Sequence, residues 1–238
     1  QLNTAADNTA VGSGTLDANT TGANNTAVGR SALGANTTAH GGTAVGHQAL
    51  QANTTGAANL AIGKDSLFTN TTGNYNIAIG YDSLQQNNGD NNVAVGHDAL
   101  KLNTTGTKNT AVGANCLDAN TTGDHNTAVG INALGANSTG ASNVAMGDRA
   151  LQTNSTASNN TGIGFKALEL NTTGTRNVAV GSLALDANTT SSDNTAVGYN
   201  ALTANTAADN TAVGSGALSG NTTGSENTAF GSGAMDAA

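Results

Sequence analysis

Residues 25–41 read NTAVGRSALGANTTAHG, and this stretch decides the fold because the same unit recurs along the whole chain. The consensus unit of 17 residues is Asn-Thr-Ala-Val-Gly-x-x-Ala-Leu-x-Ala-Asn-Thr-Thr-Gly-x-x, and two units, 76–91 and 194–209, have 16. Units start at 8, 25, 42, 59, 76, 92, 109, 126, 143, 160, 177, 194, 210 and 227. Such a strict period predicts one supersecondary unit stacked on copies of itself. We therefore predict a single β-solenoid array over residues 1–238, in which residues 1–7 form a partial coil.

The first five positions of the unit favour a β-strand over a helix, because the unit is rich in Gly, Asn and Thr, which are weak helix formers. Position two is usually Thr or Val, and position four is usually Val or Ile. Apolar or β-branched residues spaced by two belong on one face of a strand. The predicted fold class is therefore all-β, a parallel β-solenoid of the β-roll type with 14 coils, one coil for each unit.

We predict that positions two and four point into the core and that Leu at position nine fills it from a second side. The predicted core residues at positions four and nine are Val11, Leu16, Val28, Leu33, Val45, Leu50, Ile62, Leu67, Ile79, Leu84, Val95 and Leu100. Each coil alone buries too little apolar surface to offset the entropy of ordering 17 residues. Stacked coils succeed because each also gains backbone hydrogen bonds with both neighbours.

Position three lies between the two apolar positions and should face the other way. It is Ala in every unit except one, where it is Gly162. A solvent-facing position would vary toward polar residues, so we predict that another subunit or a neighbouring part of the molecule packs against this column. The predicted packing column includes Ala10, Ala27, Ala44 and Ala61.

Two other positions are almost invariant among the units. Position five is always Gly, from Gly12 to Gly231, which predicts a corner with backbone angles that only Gly tolerates easily. Position twelve is Asn in thirteen consecutive units, which predicts a ladder of stacked amides at the inter-strand repeat of about 4.8 Å. The first seven members of this Asn ladder are Asn19, Asn36, Asn53, Asn70, Asn87, Asn103 and Asn120.

Composition excludes several classes of function. Only 9% of residues are charged, the net charge is −8, and Lys and Arg form no stripe that could follow a phosphate backbone. No nucleic-acid partner is therefore expected, and no membrane insertion either, since no apolar run has the length of a membrane span. The single cysteine, Cys116, occupies a position that elsewhere holds a small residue, which favours a buried structural side chain over a reactive thiol.

We also predict no enzyme activity, no metal site and no cofactor. The histidines fall at variable positions, and His47 and His97 lie three coils apart, too far to share a metal ion. Asp65, Asp82 and Asp98 share position seven in successive coils, where we expect positions six and seven to face solvent. Solvated surface charge is favoured there over a weak cation site. No Ser or Thr has a His and an Asp at a distinctive site.

The Asn-Thr-Ala-Val-Gly and Asn-Ile-Ala-Ile-Gly segments, with the x-x-Ala-Leu that follows in most units, resemble the head repeats of trimeric autotransporter adhesins. The chain is also similar to the Asn-Thr-Thr-Gly-rich repeats of bacterial surface and phage tail-fibre proteins that end in an endosialidase-type chaperone domain. The resemblance implies a left-handed, often trimeric β-roll in which Val11 and Leu16 lie inside. It also implies that the Ala10 column could be a surface between subunits.

The two ends suggest a contact between copies, because residues 3–14 repeat residues 205–216 identically and residues 227–238 stop at unit position twelve. Asn3 and Thr4 of one copy would meet Met235 and Asp236 of another, giving an open head-to-tail filament. The alternative is a piece of a longer array, whose internal repeats would look the same. A chain that begins at Gln1 also fits a mature secreted product.

The leading hypothesis is an extracellular structural fibre or fibre shaft that assembles through head-to-tail stacking, lateral packing or both. Its partner would be the chain itself, as a single-chain filament or as a trimer, at a bacterial surface or in a virion tail. One alternative is an adhesin head or tail-fibre segment that binds a surface receptor or glycan through the variable positions. A further alternative is an ice-binding solenoid, in which the regular Thr pairs at positions thirteen and fourteen contact ice.

Overall fold

The computed structural model describes residues 5–236, which group into two compact units, Gln1–Thr122 and Gly123–Ala238. Each unit contains seven strands of three residues, and the described residues include no helix. The first unit holds β1 (Thr9–Val11), β2 (Thr26–Val28), β3 (Thr43–Val45), β4 (Leu60–Ile62), β5 (Ile77–Ile79), β6 (Val93–Val95) and β7 (Thr110–Val112). The second holds β8 (Thr127–Val129), β9 (Val144–Met146), β10 (Thr161–Ile163), β11 (Val178–Val180), β12 (Thr195–Val197), β13 (Thr211–Val213) and β14 (Thr228–Phe230).

Within each unit, every strand pairs in parallel with the next strand in the chain. Equivalent positions lie opposite one another, so that Thr26 faces Thr43 and Thr127 faces Val144. The predicted all-β parallel solenoid with one strand in each repeat is thereby confirmed. Its handedness and its continuity as a single array over residues 1–238 stay predictions.

The 16-residue repeats keep the same register as the others. Ile77 pairs with Val93, and Thr195 pairs with Thr211, although only 16 residues separate the partners. The missing residue comes from the turn that follows the position-twelve Asn, because only four residues separate Asn87 from the next unit start at Asn92. The strand pairing is therefore independent of the length of this turn.

Hydrogen bonds between coils continue beyond the strands. The Gly46 N–H donates back to the Val28 carbonyl at 2.8 Å, and the Leu33 N–H donates forward to the Ala49 carbonyl at 3.0 Å. The same forward and backward bonds recur in the turns of both units. Nearly the whole outline of a coil is thus bonded to its neighbours, which satisfies the backbone groups that a loop-rich chain would otherwise leave unpaired.

In the structure, the buried and exposed faces of each strand are the reverse of the prediction. Position three faces inward, and Ala27, Ala44 and Ala61 of the predicted packing column are fully buried, while Ala10 in β1 is exposed. Position four faces outward, with exposed fractions of 58% for Val11, 36% for Val28, 37% for Val45 and 38% for Ile62, and with Ile79 and Val95 partly exposed. These six residues are therefore not core residues, and the Ala column does not form an outer packing surface.

The narrow interior explains the reversal. At Gly162, the one position-three residue that is not Ala, an added Cβ would lie 3.0 Å from the Ala167 carbonyl oxygen and 3.2 Å from Leu151 Cγ. These distances are tight even for a methyl group, so the interior has room for Ala at most and excludes the branched side chain of Val or Ile. The β-branched residues remain in the strand because they suit a pleated, half-exposed surface.

The Leu residues at position nine form the core, as predicted. Leu33, Leu50, Leu67, Leu84 and Leu100 are fully buried, and Leu16 is 7% exposed. These residues also have a left-handed backbone, with φ between 48° and 53°. This conformation costs a non-Gly residue roughly 1–2 kcal/mol. Burial of a Leu side chain contributes about 1.5–3 kcal/mol, which offsets that cost.

Gly at position five makes the predicted corner and the closest approach between coils. At Gly63, φ is 134°, a value that L side chains rarely adopt. An added Cβ would lie 2.4 Å from the Gly80 carbonyl oxygen of the next coil. Both the backbone angle and the spacing of the coils therefore require Gly here.

We predict that Gly63→Ala lowers the stability by at least about 2 kcal/mol, because the new methyl group is strained and collides with backbone. The matched control is Gly216→Ala, where φ is 68° and nothing lies within 4 Å of the added Cβ. The control should lose only about 1 kcal/mol, from the left-handed backbone alone. Thermal and urea unfolding followed by circular dichroism measures both, and equal losses would show that the close approach has no role.

Candidate functional site

The predicted Asn ladder at position twelve is confirmed in both units, except between Asn188 and Asn205, where the Asn205 amide donates to the Ala207 carbonyl and Asn188 Oδ1 has no hydrogen-bond partner. The Asn36 side-chain amide donates to Asn19 Oδ1 at 2.8 Å and to the Ala39 carbonyl of its own coil at 3.3 Å. Equivalent amide-to-amide bonds join Asn53 to Asn36 (3.2 Å), Asn70 to Asn53 (3.0 Å), Asn87 to Asn70 (3.2 Å), Asn103 to Asn87 (2.7 Å) and Asn120 to Asn103 (2.7 Å). The amides lie in the interior, where an unpaired polar group would be costly.

A second Asn ladder, at position one, was not predicted. The Asn25 side-chain amide donates to the Ala39 carbonyl at 2.9 Å, so Asn25 and Asn36 share one acceptor. The Asn25 backbone N–H donates to Asn8 Oδ1 at 2.9 Å, in the preceding coil. The signal was present in the sequence, because thirteen of the fourteen units begin with Asn. A shared carbonyl at position fifteen therefore ties the start of a unit to its twelfth position.

The position-one ladder has a gap at Gly42. The Gly42 N–H donates to Asn25 Oδ1 at 2.8 Å, as in other coils, but Gly has no side-chain oxygen for the N–H of Asn59. Elsewhere that bond is made, for example from the Asn76 N–H to Asn59 Oδ1 at 2.9 Å. An added Cβ at Gly42 would lie 3.1 Å from Asn25 Oδ1 and 3.5 Å from Leu33 Cδ1, so a side chain needs only a small adjustment.

We predict that Gly42→Asn stabilises the chain by about 0.5–1.5 kcal/mol, because it adds the hydrogen bonds that the other coils already have. Gly42→Ala is the matched control, since it removes the flexibility of Gly from the unfolded chain without adding an amide. Urea unfolding of the two variants separates these effects. An Asn variant no more stable than the Ala variant would contradict a stabilising role for the ladder.

Charged and aromatic side chains gather at positions six, seven and ten of coils three to six. The Asp column of this cluster consists of Asp65, Asp82 and Asp98, whose side chains are 14%, 7% and 19% exposed. Lys64 contacts Asp65 at 2.8 Å, and Lys101 contacts both Asp82 and Asp98 at 3.1 Å. The expectation of fully solvated charges at position seven is therefore wrong for these carboxylates.

Backbone conformation explains why Asp recurs at position seven. Asp65, Asp82 and Asp98 have φ of 56°, 53° and 56°, in the left-handed region that Gly, Asn and Asp occupy most readily. Position seven is Gly, Asn or Asp in nine of the fourteen units, including Asn115 and Gly216. The Asp column thus follows first from the turn, and its charge is compensated by the two lysines.

The pKa values of both lysines are raised by these carboxylates. The hydrogen bond with Asp65 raises the pKa of Lys64, with smaller contributions from Tyr81. For Lys101, partial burial lowers the pKa, but the hydrogen bonds with Asp98 and Asp82 together outweigh it. Both lysines therefore stay charged at neutral pH.

An aromatic pair covers part of this cluster. The Tyr81 and His97 rings stack with centroids 5.3 Å apart and planes inclined by 10°, and Lys64 Nζ lies 4.8 Å from the Tyr81 ring centroid. Tyr81 is still 44% exposed, although His97 and Lys64 both lie against its ring. His47 Nδ1 and Asp65 Oδ1 lie 3.9 Å apart without a hydrogen bond to each other. The cluster therefore combines fixed charges, an aromatic surface and polar atoms with spare bonding capacity.

Two open depressions of about 520 and 350 Å³ lie on either side of Phe68 in the first unit. The larger is lined mainly by small residues of earlier coils, such as Ser31 and Ala35, and the smaller by Gln85, Gln86 and Thr104. Their linings contain one ionisable side chain, Asp17. Neither depression includes the Asp column.

The Thr residues at position thirteen hydrogen bond to the protein itself. The Thr20 hydroxyl donates to the Thr37 carbonyl at 2.9 Å, and the Thr37 hydroxyl donates to the Thr54 carbonyl at 3.1 Å. Thr54, Thr104 and Thr172 repeat this bond to the next coil. Each of these position-thirteen hydroxyls therefore donates its proton within the protein, and the ice-binding alternative stays a prediction.

Cys116 is fully buried, in agreement with the structural interpretation of this residue. Burial raises the pKa of its thiol to about 12. The thiolate is the reactive species, so at pH 8 only about one molecule in 10⁴ carries it.

We predict that the native Cys116 thiol reacts with an aromatic disulfide reagent at pH 8 at least about 10³-fold more slowly than the urea-unfolded chain. Reactivity should rise with pH toward the raised pKa, provided that the protein stays folded. A colorimetric thiol assay measures both rates, and Cys116→Ala supplies the blank. Equal rates for native and unfolded chains would contradict the buried position.

The predicted end-to-end contact is only partly described. Asn3 and Thr4 lie outside the described residues. Met235 is 47% exposed, and Asp236 is also exposed. The head-to-tail contact therefore stays a prediction.

No protein-family model, curated protein or solved structure matches the chain. Within residues 5–236, no three His, Cys, Asp or Glu side chains form a group that could hold a metal ion. The same part of the chain contains no helix with the length and apolar character of a membrane span.

Proposed function

We propose that the chain is a structural protein, a repeat-built fibre or fibre shaft that associates with further copies of itself and has no enzymatic activity or cofactor. One observation carries the proposal: the same backbone and Asn ladders join successive coils in both units. Residues that vary among coils lie mainly at outer positions, such as six and ten. The positions that are constant among the repeats therefore form the scaffold itself.

The direction of the ladders suits a load-bearing role. Backbone and amide hydrogen bonds link each coil to the next, so separating two coils requires many bonds to break together. Each bond contributes only about 1 kcal/mol. Their concerted loading, together with the buried Leu column, makes the stack resistant to extension.

The proposed location is outside the cell, at a bacterial surface or in a virion tail. Support comes from the resemblance to adhesin-head and tail-fibre repeats and from a surface in which Asn, Thr and Ser provide most of the polarity. Neither nucleic acid nor a membrane interior is a proposed partner. The proposed partner is another copy of the chain.

Negative-stain electron microscopy of the purified chain over about 1–100 µM tests the proposal, together with light scattering for mass. We expect filaments or laterally joined assemblies whose mass rises with concentration. Discrete single-chain particles at every concentration would contradict self-association. Head-to-tail growth would give long unbranched filaments, whereas lateral packing alone would give assemblies of limited length.

Receptor or glycan binding is a second candidate, favoured by the cluster around Tyr81. A half-exposed aromatic surface beside fixed Lys and Asp side chains is a surface on which a sugar ring can stack and form hydrogen bonds. A glycan array probed with the intact chain and with Tyr81→Ala tests it. Binding that disappears in the variant supports this function, and absence of binding by the intact chain contradicts it.

A further inference from the structure

The second unit exposes three large side chains at position six. Ile131, Phe165 and Tyr199 are 53%, 48% and 55% exposed, and each lies two repeats after the one before it. Isolated exposed apolar residues are common on proteins. Three such residues at a fixed interval on one scaffold form a pattern that calls for a physical account.

Small or polar residues occupy position six in the coils between them. Backbone bonds keep this column in register, because the Arg149 N–H donates to the Ile131 carbonyl and the Lys166 N–H donates to the Asp148 carbonyl, both at 3.0 Å. The position-six column in chain order is Ile131, Asp148, Phe165, Ser182, Tyr199, Ser215 and Ser232, so the alternation covers the first six coils of the unit. With neighbouring coils about 4.8 Å apart, large projections and gaps alternate with a repeat of about 9.6 Å.

An apolar strand face lies immediately before this column in each coil, separated from it only by the position-five Gly. Met146 is 43% exposed, and Val129, Ile163 and Val180 are partly exposed. The strands β8–β14 contain no ionisable residue. This strand face has the composition of an interface core rather than of a solvated surface, and the charged residue in the adjoining position-six column is Asp148, whose carboxylate lies 3.7 Å from Arg149 Nε.

We propose that this surface of the second unit, positions four and six of residues 123–238, binds a second copy of the chain. The spacing selects that partner. Side chains on one face of an extended peptide repeat about every 6.6 Å, and a helix repeats about every 5.4 Å, so both fall out of step with gaps every 9.6 Å or so. Another stack of the same coils has the matching period along its whole length.

A two-fold arrangement fits the alternation. With the axis between the coils of Phe165 and Ser182, Phe165 of each copy meets Ser182 of the other. The same axis places Tyr199 opposite Asp148 and Ile131 opposite Ser215 of the second copy. Every large side chain then enters a gap, and the Tyr199 hydroxyl can donate to the Asp148 carboxylate.

The available area implies a weak but specific contact. The six coils paired in this way, about 4.8 Å apart and with a width of about 16 Å for positions two to six, offer about 460 Å² on each copy. Two copies would bury about 920 Å², the size of a weak interface. We expect a dissociation constant on the order of 10 µM. This inference rests on the proposed self-association and names the surface that performs its lateral part.

The test compares the unaltered chain of residues 1–238 with three variants by sedimentation velocity at about 1–200 µM. Phe165→Ser should weaken self-association at least about tenfold by emptying a gap, and Ser182→Phe should weaken it similarly by placing two rings opposite each other. The double variant Phe165→Ser/Ser182→Phe exchanges the two partners of the same contact. It should therefore restore association to within about threefold of the original chain.

The matched control is Tyr81→Ser, which removes an exposed position-six aromatic residue from the first unit and should leave association unchanged. Circular dichroism checks that every variant stays folded, as expected for side chains about half exposed. If the unaltered chain associates but the single variants associate equally well, the interface is wrong and the proposed function stands. If the unaltered chain stays monomeric at 200 µM or so, both are wrong.

Discussion

The carbonyl near unit position fifteen, which two Asn side chains share in most repeats, holds together the cross-section on which the rest of the structure depends. In the second coil this is the Ala39 carbonyl, which accepts from Asn25 and Asn36. It fixes the two ends of a coil against each other while the remaining amide groups bond to the coils above and below. A chain with little large apolar surface thereby obtains a closed cross-section. The single Leu at position nine then has a defined cavity to fill.

Much of this architecture could be predicted from residue types and spacing. Gly at position five, Leu at position nine and Asn at position twelve each have one plausible role in a stacked coil, and the structure confirms those roles. Alternation with period two also identified the strand. Alternation cannot tell which face is inside, however, and the greater hydrophobicity of Val11 or Ile62 over Ala10 or Ala61 favoured the wrong face. The narrow width of the interior determines which face is buried, and that width depends on the conformation of the whole coil.

The candidate site was harder to predict, for related reasons. Asp65, Asp82 and Asp98 look like surface charge in the sequence, yet a left-handed turn selects Asp at this position and partly buries it. The stacking of Tyr81 on His97 and the contacts of Lys101 depend on which residues occupy the next coil. The second Asn ladder was visible in the consensus, but its purpose became clear only from the shared acceptor. The features that distinguish one part of this chain from another therefore arise from contacts between repeats rather than within one repeat.

The shortened turns of the two 16-residue repeats show that the strand pairing of this scaffold does not depend on the length of every turn. Removing one residue after Asn87 or Asn205 leaves the strand pairing on both sides intact. The turn after position twelve can therefore differ in length by one residue while the strands keep their register. A change of length at that turn alters the contour of one edge while the strands stay paired, although beside the second short turn Asn188 Oδ1 has no hydrogen-bond partner.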